Sequence, residues 1–122
     1  MTAVGTLGWI QVDCADPIAL ARFWSEVLGF PIDDETLGEP VQYVSLIGPR
    51  GHAQVSFQRV PEPKSGKNRL HLDVVTDDLE SAADRVEALG GSRAEPEPRH
   101  EYGYDFRVMA DPEGNEFCLI LA

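Results

Sequence analysis

Basic residues are scarce in this chain: ten Lys and Arg stand against 21 Asp and Glu, a net charge of −11. That balance argues against nucleic acid as a partner, because affinity for a phosphate backbone comes largely from neutralising it. It is compatible with a cationic ligand, while the plainer consequence is a solvated acidic surface. Long apolar runs are missing too, and none approaches the roughly 20 residues of a membrane span. The N-terminus lacks a charged start followed by an apolar stretch, so a soluble cytoplasmic protein without a membrane partner is expected. Cysteine is limited to Cys14 and Cys118, each inside an apolar strand-like run, where buried free thiols are expected rather than a disulfide. The chain also has no phosphate-cradling Gly-rich loop, no Ser nucleophile elbow and no Cys-x-x-Cys pair.

What the chain does have is an internal echo. Gly48-Pro49-Arg50-Gly51-His52 and Asp111-Pro112-Glu113-Gly114-Asn115 are both Gly/Pro turns that run into strand-like segments, and their first positions lie 63 residues apart. Leu28-Gly29 and Leu89-Gly90 each close an amphipathic helical pattern, 61 residues apart. Both spacings are about half of 122 residues, which implies a repeated supersecondary unit. The length suits one domain over 1–122, composed of modules at about 5–60 and 68–122. Pro61 to Asn68, rich in Pro, Lys and Gly, is the linker-like stretch between them.

The order of elements repeats as well. In the first module Leu7 to Cys14 reads as a strand. Asp16-Pro17 then starts a helix, with Asp as cap and Pro at the first position. Leu20, Phe23, Trp24, Val27 and Leu28 form its apolar stripe and Gly29 its stop. Strands are expected at Phe30 to Asp33, Val41 to Ile47 and Ala53 to Val60. In the second, Arg69 to Val75 reads as a strand and Asp77 or Asp78 caps a helix. Its stripe is Leu79, Ala82, Ala83, Val86 and Leu89, ended by Gly90. Strands follow at Ser92 to Ala94, Phe106 to Ala110 and Glu116 to Leu121. Each half is strand–helix–strand–strand–strand.

Three segments in this order resemble the vicinal oxygen chelate superfamily of glyoxalases, ring-cleaving dioxygenases and bleomycin-resistance proteins, most closely its glyoxalase-like branch. They are Asp16 to Phe30, Asn68 to Val74 and Asp111 to Cys118. The resemblance implies an α+β fold. Two tandem βαβββ modules would form a curved, mainly antiparallel sheet around a central cavity, with helices outside. It also implies a homodimer, and the linker would permit module exchange. In metal-dependent relatives, divalent metal is held by side chains from the first and last strand of each module, usually His and Glu. Carried over by spacing, those positions are Trp9, Val55, His71 and Cys118. Tryptophan offers only an N–H donor and valine nothing, so His71 and Cys118 remain, short of the three or four groups of a catalytic site.

Strand alternation extends the set. Gln11 shares a face with Trp9, Asp73 with His71 and Glu116 with Cys118, provided the register holds. Trp9, Gln11, His71, Asp73, Glu116 and Cys118, with Phe57 as an aromatic wall, are the candidate ligand-binding residues. His71 is the candidate acid/base because imidazole titrates near neutral pH; its alternative is a strand histidine satisfied by neighbours. Tyr43, Tyr102, Tyr104 and Phe106 are further candidate walls, whereas Phe23 and Trp24 belong to helix packing. His100 sits in a polar, Gly-containing stretch expected to be a loop, and His52 at a surface turn. The leading expectation is a metal-independent binder of the glyoxalase/bleomycin-resistance type that holds a small organic ligand in the cavity between the modules, cationic if charge decides, with no cofactor. The alternatives are a lyase or isomerase acting near a carbonyl through His71, with divalent metal in that case, and a structural or regulatory dimer.

Overall fold

A computed structural model describes residue 3 and residues 5–122, and it divides into two compact units, Met1–Pro63 and Lys64–Ala122. The division falls inside the linker-like stretch. The fold is mixed α+β, with one helix and one multi-stranded sheet in each unit. Among the described residues no helix is long and apolar enough to cross a membrane.

The first unit runs β1 (Trp9–Cys14), α1 (Pro17–Leu28), a 3-10 turn (Asp34–Leu37), β2 (Tyr43–Ser45) and β3 (Gln54–Arg59). Its sheet has the order β1-β3-β2, with β1 parallel to β3 and β2 antiparallel to it. The local signals at α1 act as written in the chain. Asp16 Oδ1 accepts from the Ala19 N–H at 3.1 Å, Pro17 opens the helix, and Gly29 ends it at φ 73°, a conformation that favours glycine. Leu20, Ala21, Phe23 and Trp24 are buried, and the two rings meet edge-on with centroids 5.4 Å apart. Burying each large side chain contributes about 1.5–3 kcal/mol.

The strand expected over Phe30 to Asp33 is reduced to one bridge, Ile32 to Leu46. Pro31 has no N–H to donate, and Asp33 turns the chain by capping the following 3-10 helix through Glu35 N at 3.1 Å.

The second unit runs β4 (Asp73–Thr76), α2 (Leu79–Ala88), β5 (Ser92–Arg93), β6 (Arg99–Glu101), β7 (Tyr104–Ala110) and β8 (Glu116–Leu121). The strand order is β4-β8-β7-β5, with β6 paired to β7. β4 lies parallel to β8 and the other pairings are antiparallel. Asp78, rather than Asp77, caps α2 by accepting from Ser81 N at 3.0 Å. Only Ala83 and Val86 of this helix are buried, a thinner apolar stripe than that of α1. Two arginines from the sheet add to its attachment. Arg93 reaches Asp84 at 2.9 Å, Glu80 at 3.4 Å and also Glu87; the nearly buried Arg107 holds Glu80 at 2.7 Å. These carboxylates hold the Arg93 guanidinium well above its ordinary pKa, with Asp84 and Glu87 the main causes.

Two expectations change here. The strand predicted from Arg69 begins only at Asp73, because the register pairs Asp73 with Cys118 and residues before 71 run past the start of β8. Residues 99–101 form a strand where a loop was expected. Their alternation signal is absent, since Arg99, His100 and Glu101 are all exposed. Tyr102 (φ 55°) and Gly103 (φ 79°) make the tight turn of the β6–β7 hairpin.

Candidate functional site

Asn68 anchors the approach to the site. Its side-chain oxygen accepts from Glu116 N at 3.0 Å, in place of a ladder bond at the start of β8. The ladder then continues with Cys118 N donating to Leu72 O at 3.0 Å. At the same end of β8, Asp111 builds the turn that leads in from β7. Its carboxylate accepts from Glu113 N and Asn115 N, each at 2.9 Å, and from the Asn115 side chain, while Gly114 takes φ 84°. The Asp111-Pro112-Glu113-Gly114-Asn115 motif is thus a hairpin device that sets the register of β8 against β7.

That register decides which side chains meet. Asp73 is the cross-strand partner of Cys118, and Cys118 is also that of Val108. His71, Asp73 and Cys118 each offer a donor atom within 4.8 Å of the others. His71 Nε2 and Asp73 Oδ1 are 3.3 Å apart, with both side chains a little over half exposed. Glu116 follows the same alternation and is ion-paired to Lys67, which holds its carboxyl below the usual carboxylate range. Burial pushes the Cys118 thiol above its ordinary pKa, and the charges of Asp73 and Glu116 push it further. At neutral pH it is a thiol, not a ready nucleophile. Around these polar groups the same face carries Val75, 67 % exposed, with Val108 and Ile120 half-buried.

The remaining candidates lie elsewhere. Trp9 and Gln11 share one face of the first unit's sheet with Tyr43, and Trp9 is 62 % exposed. Phe57 pairs with Val12 on the opposite face and is fully buried, so it belongs to the core and not to a ligand surface. Turn spacing matched Val55 to Cys118, but the register shifts this by one. Gln11 pairs with Ser56 as Asp73 pairs with Cys118, which makes Ser56 the counterpart. Ser56 is buried and bonded to the Ser45 hydroxyl at 3.0 Å. Cys14 is buried, Cys118 only partly, and both are free thiols.

His100 faces away from Cys118 and contacts Asp105, Nδ1 to Oδ1, at 2.5 Å. This pair borders an open groove of about 450 Å3, lined also by Asp77, Leu79, Glu80 and Leu121. The groove contains none of the expected site residues, and the converging donors His71, Asp73 and Cys118 are the candidate site instead. Lys67 and Asn68 were not singled out from the sequence. Their Lys-Asn placement in a linker-like stretch carries no periodic signal.

Residues 9–120 match the family described as glyoxalase-like domain. Among solved structures, a glyoxalase/bleomycin resistance protein/dioxygenase family enzyme from Burkholderia phytofirmans PsJN is similar at 21 % identity and TM-score 0.73, covering 96 % of this chain and 98 % of that one. A member of the same superfamily from Sphaerobacter thermophilus DSM 20745 is similar at 20 % identity and TM-score 0.71, with 98 % of each chain covered. A glyoxalase-related enzyme from Fulvimarina pelagi gives 16 % identity and TM-score 0.72, covering 98 % of this chain and 89 % of that one. No curated protein matches. At these identities the structures speak for the fold, while the family match spans nearly the whole sequence. The chain belongs to the glyoxalase-like domain family, within the vicinal oxygen chelate superfamily.

Proposed function

We propose that this protein binds a small organic molecule against the open sheet face of its second unit. The observation that carries this reading is the composition of that face. Three convergent polar groups, His71, Asp73 and Cys118, are set among the exposed or half-exposed apolar residues Val75, Val108 and Ile120. A mostly apolar surface with a few placed polar groups is the usual character of a ligand site. His71 and Asp73 supply orientation, and the acidic balance of the chain favours a ligand with positive charge.

The test is a thermal-shift screen of aromatic amines and small carbonyl compounds on wild type and His71→Ala. A ligand at a hundredfold excess over its Kd stabilises the folded state by about 2.7 kcal/mol. Compounds that shift wild type and leave His71→Ala unmoved support the reading. Equal shifts in both proteins overturn it.

A second reading is favoured by the 3.3 Å approach of His71 Nε2 to Asp73 Oδ1. A carboxylate at that distance can hold the imidazole in place, so His71 can take a proton from a carbon next to a carbonyl and return it, the core step of an isomerase or lyase. In D2O this reading requires His71-dependent deuterium incorporation at such a carbon; a lack of exchange with every compound that binds excludes it.

A further inference from the structure

The second unit's sheet has another side. On the face that carries α2, turned away from Asp73 and Cys118, lies the groove of about 450 Å3 bordered by His100 and Asp105. We infer that this groove is a separate binding site for a small organic cation, an aliphatic ammonium. Its apolar body would rest on Leu79 and Leu121, and its charge would meet Asp77 and the His100–Asp105 pair. The inference stands independently of the ligand reading for the opposite face.

The groove is built between elements that other bonds already hold. α2 is tied to the sheet where Arg107 of β7 and Arg93 of β5 reach Glu80, at 2.7 and 3.4 Å. The β6–β7 hairpin closes at Tyr102 and Gly103, and its register sets His100 directly across from Asp105. A lining fixed in this way loses little freedom when a ligand enters, which lowers the cost of binding. The volume falls within the roughly 300–1,000 Å3 of small-molecule sites. Pro98 and the half-buried Leu79 and Leu121 add apolar surface to the lining.

Charge selects the ligand, because most of the lining charges are already committed. Asp78 caps α2 through Ser81 N at 3.0 Å, and Glu80 is held by the two arginines. Arg99 donates to Glu95 at 2.6 Å and lies 3.4 Å from Glu101. Asp77 remains, with no ion pair among the described residues, together with the His100–Asp105 pair. Asp105 accepts from Nδ1 of His100, so the lone pair of the neutral ring is on Nε2. A carboxylate and an acceptor nitrogen suit the N–H donors of an ammonium group. An anionic ligand would find the Arg99 guanidinium already taken. The N-terminus of α2 would by itself attract an anion, but Asp78 and Glu80 already supply negative charge there. A metal ion fits less well, since among the described residues the three-donor convergence is at His71, Asp73 and Cys118 and not here.

The probes are cyclohexylamine, its neutral counterpart cyclohexanol and the anion cyclohexanecarboxylate, each titrated into the full chain at neutral pH. Nuclear magnetic resonance of the Cε1–H groups of His52, His71 and His100 reports where each probe binds. Cyclohexylamine is expected to give a saturable shift at His100 while His71 stays unmoved. Asp77→Asn should weaken that binding about two- to fivefold, the effect of one exposed charge pair. Cyclohexanol, which loses every charge contact at once, should bind about tenfold more weakly, and cyclohexanecarboxylate more weakly still. The comparison of probes uses wild type alone, so it holds whatever a substitution does to folding. A shift at His71 without one at His100, or no saturable shift at all, overturns the proposal. So does cyclohexanol or the carboxylate binding as tightly as the amine, or Asp77→Asn binding the amine as tightly as wild type.

Discussion

Asp73 and Cys118 are direct partners across the parallel pair of β4 and β8, so a carboxylate and a thiol from residues 45 positions apart share one sheet face. His71, just before β4, closes on Asp73 at 3.3 Å. The neighbouring anion has a measurable consequence for the thiol. Burial raises the Cys118 pKa first and Asp73 adds to it, so Asp73→Asn is expected to lower it and speed alkylation by iodoacetamide near pH 8. Rates are read by mass spectrometry at Cys118, with buried Cys14 as the slow internal reference. An unchanged or slower rate at Cys118 contradicts the electrostatic account.

Stability is expected to depend on pH in a defined direction through two groups. The Lys67 pairing lowers the Glu116 pKa in the folded state, so its stabilisation is present above the unfolded carboxyl pKa. It is lost as pH falls through the lower folded value. The Cys118 shift acts at the other end: stability is full below the unfolded thiol pKa and declines as pH rises towards the raised folded one. Urea unfolding of Lys67→Met against wild type checks the acid limb, where the difference should shrink on acidification.

Arg107 and Glu80 join β7 to α2 at 2.7–2.8 Å, with the Arg107 side chain only 8 % exposed. Glu80→Ala leaves that buried cation short of its anion. Because Glu80 itself is more than half exposed, the expected loss is about 1–3 kcal/mol, below the full cost of breaking a buried pair. Chemical denaturation provides the number, and a neutral result removes this pair from the account of how α2 is held.

In the first unit, α1 packs through its buried aromatic pair. Trp24→Ala deletes a side chain 3 % exposed and its edge-on contact with Phe23, with an expected cost of about 3–5 kcal/mol. Asp16→Ala removes only the α1 cap and should cost about 1 kcal/mol. Equal effects in a thermal melt would be inconsistent with this ordering.

Much of this architecture was legible beforehand where its cause is local. Asp16-Pro17 and Gly29 bound α1 as their chemistry requires, and Glu116–Leu121 is the strand expected from its apolar run. The misreadings had non-local causes. Residues 99–101 carry no apolar alternation, yet backbone pairing to β7 makes them a strand. Phe57 looked like a ligand wall because an aromatic in a strand does not announce its face; pairing with Val12 turned it to the core. The correspondence of Val55 to Cys118 failed by one residue because the two turns were aligned and the ladders were not.

The sequence by itself determined the repeated strand–helix order, the caps and turns that punctuate it, and the family to which the chain belongs. Those features depend on groups a few residues apart, whose geometry the backbone largely dictates. Tertiary structure alone decided that His71, Asp73 and Cys118 converge, that Lys67 occupies Glu116, and that Asn68 replaces a ladder bond at β8. A sheet face is defined by register between distant strands, and a shift of one residue reverses every side chain on it.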